Sequence, residues 1–217
     1  MKNIKVKLLH YTPELVIIDG IKNPYLFEEA TLKTAVKVVN TLKHDSVSEH
    51  IHINFNIDGI SRSALQELER HRMTEFNIDE MFSSSTVQST RYSIDKMLKN
   101  DINNTNIDDY FVFPEYDSTR WKSIAIYELF LTDLQCHYLQ TINVMKENQI
   151  RTQFNNDFLK YFSCEALRVR LTWTINIRSL LNFLKLRTNK SAHFEIRHLA
   201  NLIKESLKDT YISQFLP

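Results

Sequence analysis

"IHINFNI", residues 51–57, alternates without a break: Ile51, Ile53, Phe55 and Ile57 fall on one face, His52, Asn54 and Asn56 on the other. A period of two is the mark of a β-strand with one buried face. The chain then runs through "DGISRSALQELERHR" (58–72), where Ser61 suits a helix N-cap and the next residues read as a helix ending in Arg70, His71 and Arg72. Working outward, residues 3–9 alternate as a second strand, with Ile4, Val6 and Leu8 on one side. Apolar residues recur at helical spacing from Pro24 to about Lys43, from Arg120 to Asn148 and from 192 to 207; residues 157–187 read as helix in two pieces. Residues 95–112, rich in Asn and Asp, read as a polar connection. The class expected is α+β: a small sheet with a helix-dominated remainder, in one domain spanning 1–217.

Composition narrows the chemistry. The chain has 217 residues, 43% hydrophobic and 24% charged, which suits a globular core. Its formal net charge of +1 gives no bulk attraction for nucleic acid, so any anion site must come from local clustering. No apolar run approaches the length of a membrane span, about 18 residues. The opening "MKNIKVKLLHYTPELVII" interleaves lysine with apolar residues and is not expected to be a signal peptide. Cys136 and Cys164 form no CxxC spacing and are expected in helices as reduced core thiols of a cytoplasmic protein. There are only two glycines, Gly20 and Gly59, too far apart for GxGxxG or a Walker loop. A nucleotide bound here must be held through side chains.

Two cationic, hydroxyl-rich clusters could do so. Arg70, His71 and Arg72 precede a polar loop, and Ser89, Thr90, Arg91 and Tyr92 follow it. Guanidinium and hydroxyl groups suit phosphate; the same residues also suit a helix C-terminus followed by a loop. A third segment, "TWTINIRSLLNFLKLR" (172–187), projected at about 100° per residue, sets Asn176, Phe183 and Arg187 near one direction and Arg178, Asn182 and Lys185 roughly opposite. It reads either as a partly buried helix with satisfied polar groups or as one lying between two sites. Two rivals stand beside nucleotide binding. His44, His50 and His52 could ligate zinc, although no HExxH pattern and no obvious carboxylate or cysteine partner at motif spacing accompanies them. The "RHR" run could serve a nucleic-acid module, against which the net charge of +1 counts.

Four blocks carry a resemblance: "HDSVSEH" (44–50), "SRSALQELERHR" (61–72), "STRYS" (89–93) and "NIRSLLNFLKLR" (176–187). In this order and spacing the chain resembles the flavin-dependent thymidylate synthases. The resemblance implies a small, mostly antiparallel sheet and a non-Rossmann flavin-binding fold. It implies reductive methylation of dUMP to dTMP, with FAD, methylenetetrahydrofolate as carbon donor and NADPH as reductant. It also implies a homotetramer whose active sites are shared between subunits, with no nucleic-acid polymer and no membrane as partner. A catalytically impaired homologue that still binds nucleotide and flavin is the alternative.

Carried over by motif position, His44, Ser46, Arg70, His71, Arg72, Val87, Asn176, Arg178 and Asn182 should hold FAD. Glu67, Arg70, Gln88, Ser89, Thr90, Arg91, Lys160 and Arg187 should hold dUMP. Arg187 is the expected catalytic residue, stabilising negative charge that develops on the uracil ring. No protein nucleophile is implied, because the flavin does the reducing chemistry, and Ser89 is assigned to binding. One departure stands out. The segment between Arg72 and Ser89 is longer than the family's, and its extra residues are expected near 73–82, "MTEFNIDEMF", as a tolerated excursion.

Overall fold

The computed structural model describes residues 4–70, 83–100, 106–152 and 156–216. The elements in chain order are β1 (Lys5–Tyr11), α1 (Glu14–Tyr25), α2 (Leu32–Asn40), β2 (His52–Ser61), α3 (Arg62–Glu69), β3 (Ser83–Val87), α4 (Thr90–Lys99), α5 (Ile124–Thr152), α6 (Asn156–Leu159), β4 (Arg168–Asn176), α7 (Ile177–Arg187) and α8 (Phe194–Ser206). A 3-10 segment, Asp45–His50, leads into β2, and another, Lys160–Phe162, follows α6. The described strands form a four-stranded sheet in the order β1-β2-β4-β3. The class is α+β, a small antiparallel sheet with a mostly helical remainder.

The chain divides into two compact units. One contains residues 3–58, 64–86 and 170–217, and with them most of the sheet. Here β1 pairs antiparallel with β2 from Lys5↔Asp58 to Leu8↔Phe55, then shifts register between Leu8 and His10. The shift leaves one extra residue in β1, a β-bulge. Ile53, Phe55 and Ile57 of β2 are buried, as their alternation requires, and Val169, Leu171, Trp173 and Ile175 of β4 are buried in the same manner. Trp173 packs on Phe55 at 6.0 Å between ring centroids and on Phe183 of α7 at 5.3 Å. α8 packs against both α7 and β1, burying Ile196, Leu199, Ala200 and Ile203.

The other unit contains, among the described residues, 59–63, 87–100, 106–152 and 156–169. Its core gathers Ile94, Met97, Leu98, Tyr110, Phe111, Tyr138, Ile142, Met145, Leu159 and Leu167. Phe111 stacks on Tyr138 with centroids 4.4 Å apart. Strand β2 passes from one unit into the other at Gly59, whose φ of 93° is a left-handed conformation that a side chain would strain.

Several expectations change. Residues 168–176 are strand rather than helix: "RVRLTWTIN" alternates Val, Leu, Trp and Ile with Arg and Thr, and that period of two prevails over the helical pattern that starts only at Ile177. The single helix expected over Pro24–Lys43 is two, α1 ending at Tyr25 and α2 starting after the cap Thr31, whose hydroxyl accepts from the Thr34 N–H at 3.3 Å. Residues 95–99 of the expected polar connection belong to α4, and the polar loop before Ser89 contains β3. The long helix starts at Ile124 instead of Arg120 and continues to Thr152. Ser61 is the last residue of β2, so the strand runs directly into α3. The thiols differ from expectation in opposite ways: Cys136 is on helix α5 as expected but exposed, and Cys164 lies outside any helix, packed half-buried against the core of its unit, its thiol pushed up by that burial. The excursion expected near 73–82 lies outside the described residues.

Candidate functional site

Within the sheet-containing unit, one cation follows the end of α3, another ends α7, and one carboxylate pairs with both. Glu67, two residues before the end of α3, is 2.8 Å from Arg70, the residue after that helix, and 3.0 Å from Arg187, the last residue of α7. The Arg187 and Glu67 side chains are only 19% and 22% exposed, whereas Arg70 is 70% exposed. Half-buried charges interact more strongly than solvated ones and are held in tighter geometry. Arg187 is therefore an oriented guanidinium, and Arg70 an exposed one on the same carboxylate.

Elsewhere in this unit, Asn176 is buried and caps α7, its Oδ1 accepting from the Ser179 N–H at 2.8 Å. Arg178, two residues later, is paired with Glu49 of the 3-10 segment. His44, the residue before that segment, has its Nδ1 in a hydrogen bond with the Tyr25 hydroxyl, and Tyr25 stacks on Phe27 at 5.3 Å. Ser46 is exposed and Asn182 half-buried. Of the expected flavin residues, Asn176, Arg178 and Asn182 lie on or at the start of α7 and His44 and Ser46 at the 3-10 segment, while Arg70 follows α3 and Val87 ends β3. His71 and Arg72 lie outside the described residues.

In the other unit, β3 ends at Val87, Gln88 is exposed, and Ser89 immediately precedes α4. The head of that helix gathers cations. Arg91 is 3.5 Å from Asp157, and Lys160 is 2.8 Å from the same carboxylate. Asn156 donates to the Arg91 carbonyl at 3.4 Å, and Arg62 donates to the Thr90 hydroxyl at 2.7 Å. The Lys160 hydrogen bond, helped by the Arg91 charge, holds the Asp157 carboxyl below its ordinary range. Two cations on one carboxylate, with Arg62 on the adjacent Thr90 hydroxyl, at the positive end of a helix dipole, make this a place for an acceptor-only anion such as phosphate.

The substrate residues expected from the sequence therefore divide into Glu67, Arg70 and Arg187 in one unit and Gln88, Ser89, Thr90, Arg91 and Lys160 in the other. Sequence reasoning missed Asp157, Glu49, Tyr25 and Arg62. Glu49 was within reach, since it sits inside the "HDSVSEH" block; Asp157 precedes Lys160 by one helical turn, a weaker signal. Among the described residues, no three His, Cys, Asp or Glu side chains converge as a metal site.

The family model described as thymidylate synthase complementing protein matches residues 7–211. The flavin-dependent thymidylate synthase of Wolinella succinogenes is 34% identical over 173 residues, which cover 79% of this chain and 74% of that one. The chain belongs to the flavin-dependent thymidylate synthase family. Another relative, from Campylobacter jejuni, is 38% identical over 171 residues, 79% of this chain and 72% of its own. Among solved structures, thymidylate synthase X from Helicobacter pylori, determined with FAD and dUMP, superposes with a TM-score of 0.77 at 26% identity. That superposition covers 98% of this chain and 96% of the other. Family membership accords with the low glycine count: a flavin fold that is not a Rossmann fold has no need of the glycine-rich loop.

Proposed function

We propose that this chain methylates dUMP to dTMP as a flavin-dependent thymidylate synthase, with FAD as cofactor, methylenetetrahydrofolate as carbon donor and NADPH as reductant. The observation that carries the reading is the family match over residues 7–211. The geometry supports it at each charged group. Arg91, Lys160, Ser89 and Thr90 hold the nucleotide phosphate, with Gln88 beside them, because a dianion is best met by cations and hydroxyl donors. Arg187, oriented by Glu67, donates to the uracil edge and stabilises negative charge there as the C5 carbon becomes nucleophilic. A planar fork suits adjacent nitrogen and oxygen acceptors better than a point charge does.

The residues present fit FAD. His44, Ser46, Arg178, Asn182 and Asn176 offer imidazole, hydroxyl, guanidinium and amide groups around α7, with Arg70, His71, Arg72 and Val87 completing the proposed set. These are donor types that meet a pyrophosphate and the polar edges of a flavin ring. Bound FAD supplies the reducing chemistry that no side chain can. The amide and guanidinium groups orient it and leave Arg187 to the pyrimidine.

Residues 1–217 act as one functional domain in this reading, and the protein is a cytoplasmic homotetramer with active sites shared between subunits. Its partners are dUMP and folate rather than a nucleic-acid polymer or a membrane. Exposed apolar side chains along α5, among them Ile126, Leu129, Phe130 and Val144, support self-association. No helix among the described residues is long and apolar enough to cross a membrane.

The test is direct. Purified protein should be yellow, release FAD on denaturation, and form dTMP from dUMP only when methylenetetrahydrofolate and NADPH are both supplied. Colourless protein that takes up no FAD, or FAD-loaded protein that forms no dTMP, would overturn the reading.

A further inference from the structure

Arg62 belongs to none of the residue sets above, yet its side chain is half-buried and aimed at one of them. It is the first residue of α3, and its main-chain N–H donates to the Leu167 carbonyl at 3.1 Å. The Ser63 N–H donates to the Glu165 carbonyl at 3.1 Å, so the backbone at this corner is tied at two successive residues. From that fixed base the guanidinium reaches Thr90 Oγ1 at 2.7 Å, a partly buried contact.

The polarity of this bond can run only one way. A hydroxyl carries one donor proton and two acceptor lone pairs, whereas a guanidinium is a donor without acceptor capacity. Thr90 therefore accepts from Arg62, and the hydroxyl proton must point away from it. Thr90 is also the first residue of α4, next to Ser89 and Arg91, and that ten-residue helix puts its positive end there. A threonine whose oxygen accepts from a cation keeps its O–H free of that cation to donate elsewhere, and that O–H is made more acidic by the neighbouring charge. Phosphate oxygens, which only accept, are the complementary ligand.

We propose that Arg62 is a positioning residue for the phosphate of the nucleotide: by donating to Thr90 Oγ1 it turns that hydroxyl's proton away from itself and toward the phosphate. This rests on the reading of Ser89–Arg91 as the nucleotide's phosphate site. The alternative, a purely structural brace at the start of α3, predicts loss of stability without discrimination between ligands.

The experiment uses the FAD-loaded full chain. Affinities for dUMP and for 2′-deoxyuridine, which lacks the phosphate, are measured for the wild type, Arg62→Gln, Arg62→Lys, Thr90→Val and the Arg62→Gln/Thr90→Val pair. Arg62→Gln should weaken dUMP by roughly tenfold, the size of one charge-assisted hydrogen bond, and leave 2′-deoxyuridine within about twofold. Arg62→Lys should recover part of the loss. Thr90→Val should weaken dUMP similarly, and adding Arg62→Gln to it should cost little more, because the two act through one hydroxyl. Thr90→Val and Arg62→Lys keep the test open if Arg62→Gln folds poorly. Equal weakening of nucleotide and nucleoside, full additivity of the pair, or unchanged dUMP affinity would each overturn the proposal. A wild type that binds FAD but not dUMP would instead bring down the functional reading on which it rests.

Discussion

Glu67 sits between two guanidinium groups with different freedom, and that difference assigns their roles. Arg187 is held half-buried on Glu67 at 3.0 Å, while Arg70 reaches the same carboxylate from solvent. A group that must stabilise charge in a transition state gains by being oriented beforehand; a surface guanidinium can reorganise around a ligand. As mere helix C-terminal charge, Arg187 would contribute about 0.3–1 kcal/mol of stability and nothing to catalysis. Arg187→Ala should instead leave flavin content and assembly intact while dTMP formation falls at least about a hundredfold, the scale of losing one oxyanion-stabilising donor. Lysine should restore little, since it cannot reproduce the planar fork. Near-normal turnover in the alanine variant would leave Arg187 only its structural part. The sequence motifs proposed Arg187 and Glu67 for the site, but their pairing became visible only in the folded chain. Asp157 was only weakly legible, through its spacing to Lys160: its meeting with Arg91, which is distant along the chain, is encoded by no local pattern.

At the scale of elements, the junction between β4 and α7 is the part most easily misread. β2 could be recognised because His and Asn alternate visibly with Ile and Phe. In β4 the intervening residues include Thr, which suits strand and core alike, and the block "NIRSLLNFLKLR" draws the eye into one continuous helix. The true boundary is chemical. Asn176 ends the strand in extended conformation, and its side chain accepts from the Ser179 N–H, satisfying one of the donors that every helix start leaves unpaired. Asn176→Ala should cost about 1 kcal/mol of stability, a fall in Tm of roughly 2–4 °C for a chain of this size. Asn176→Asp should keep the cap and the Tm, because a carboxylate also accepts at an N-terminus. The pair separates two duties: if Asn176 also meets the flavin through its amide, the aspartate variant should fold normally and yet bind FAD more weakly. Equal stability of the alanine variant and the wild type would remove the cap from the account.

For the whole molecule, the question is what covers α5. The helix runs for 29 residues, and only part of it is used by its own unit: Tyr138, Ile142 and Met145 are buried, while Leu129 remains 68% exposed and Ile126, Phe130 and Val144 are exposed with it. Leu129 and Cys136 lie two helical turns apart on nearly the same line, so the open apolar stripe carries its own thiol reporter. A stripe of this kind on a single chain is costly in water, at about 25 cal/mol per Å² of apolar surface left uncovered, and association removes that cost. If the proposed tetramer uses α5, a buried glutamate at its centre must be desolvated without a partner. Leu129→Glu should then shift light scattering from tetramer to smaller species while far-ultraviolet circular dichroism stays unchanged. The Cys136 thiol, slow to react with a maleimide in the wild-type assembly, should become fast in the variant. Because the proposed active sites are shared between subunits, dTMP formation should fall in parallel with the loss of tetramer and return as protein concentration is raised. A Leu129→Glu protein that remains tetrameric and fully active would show that α5 is not the joining surface.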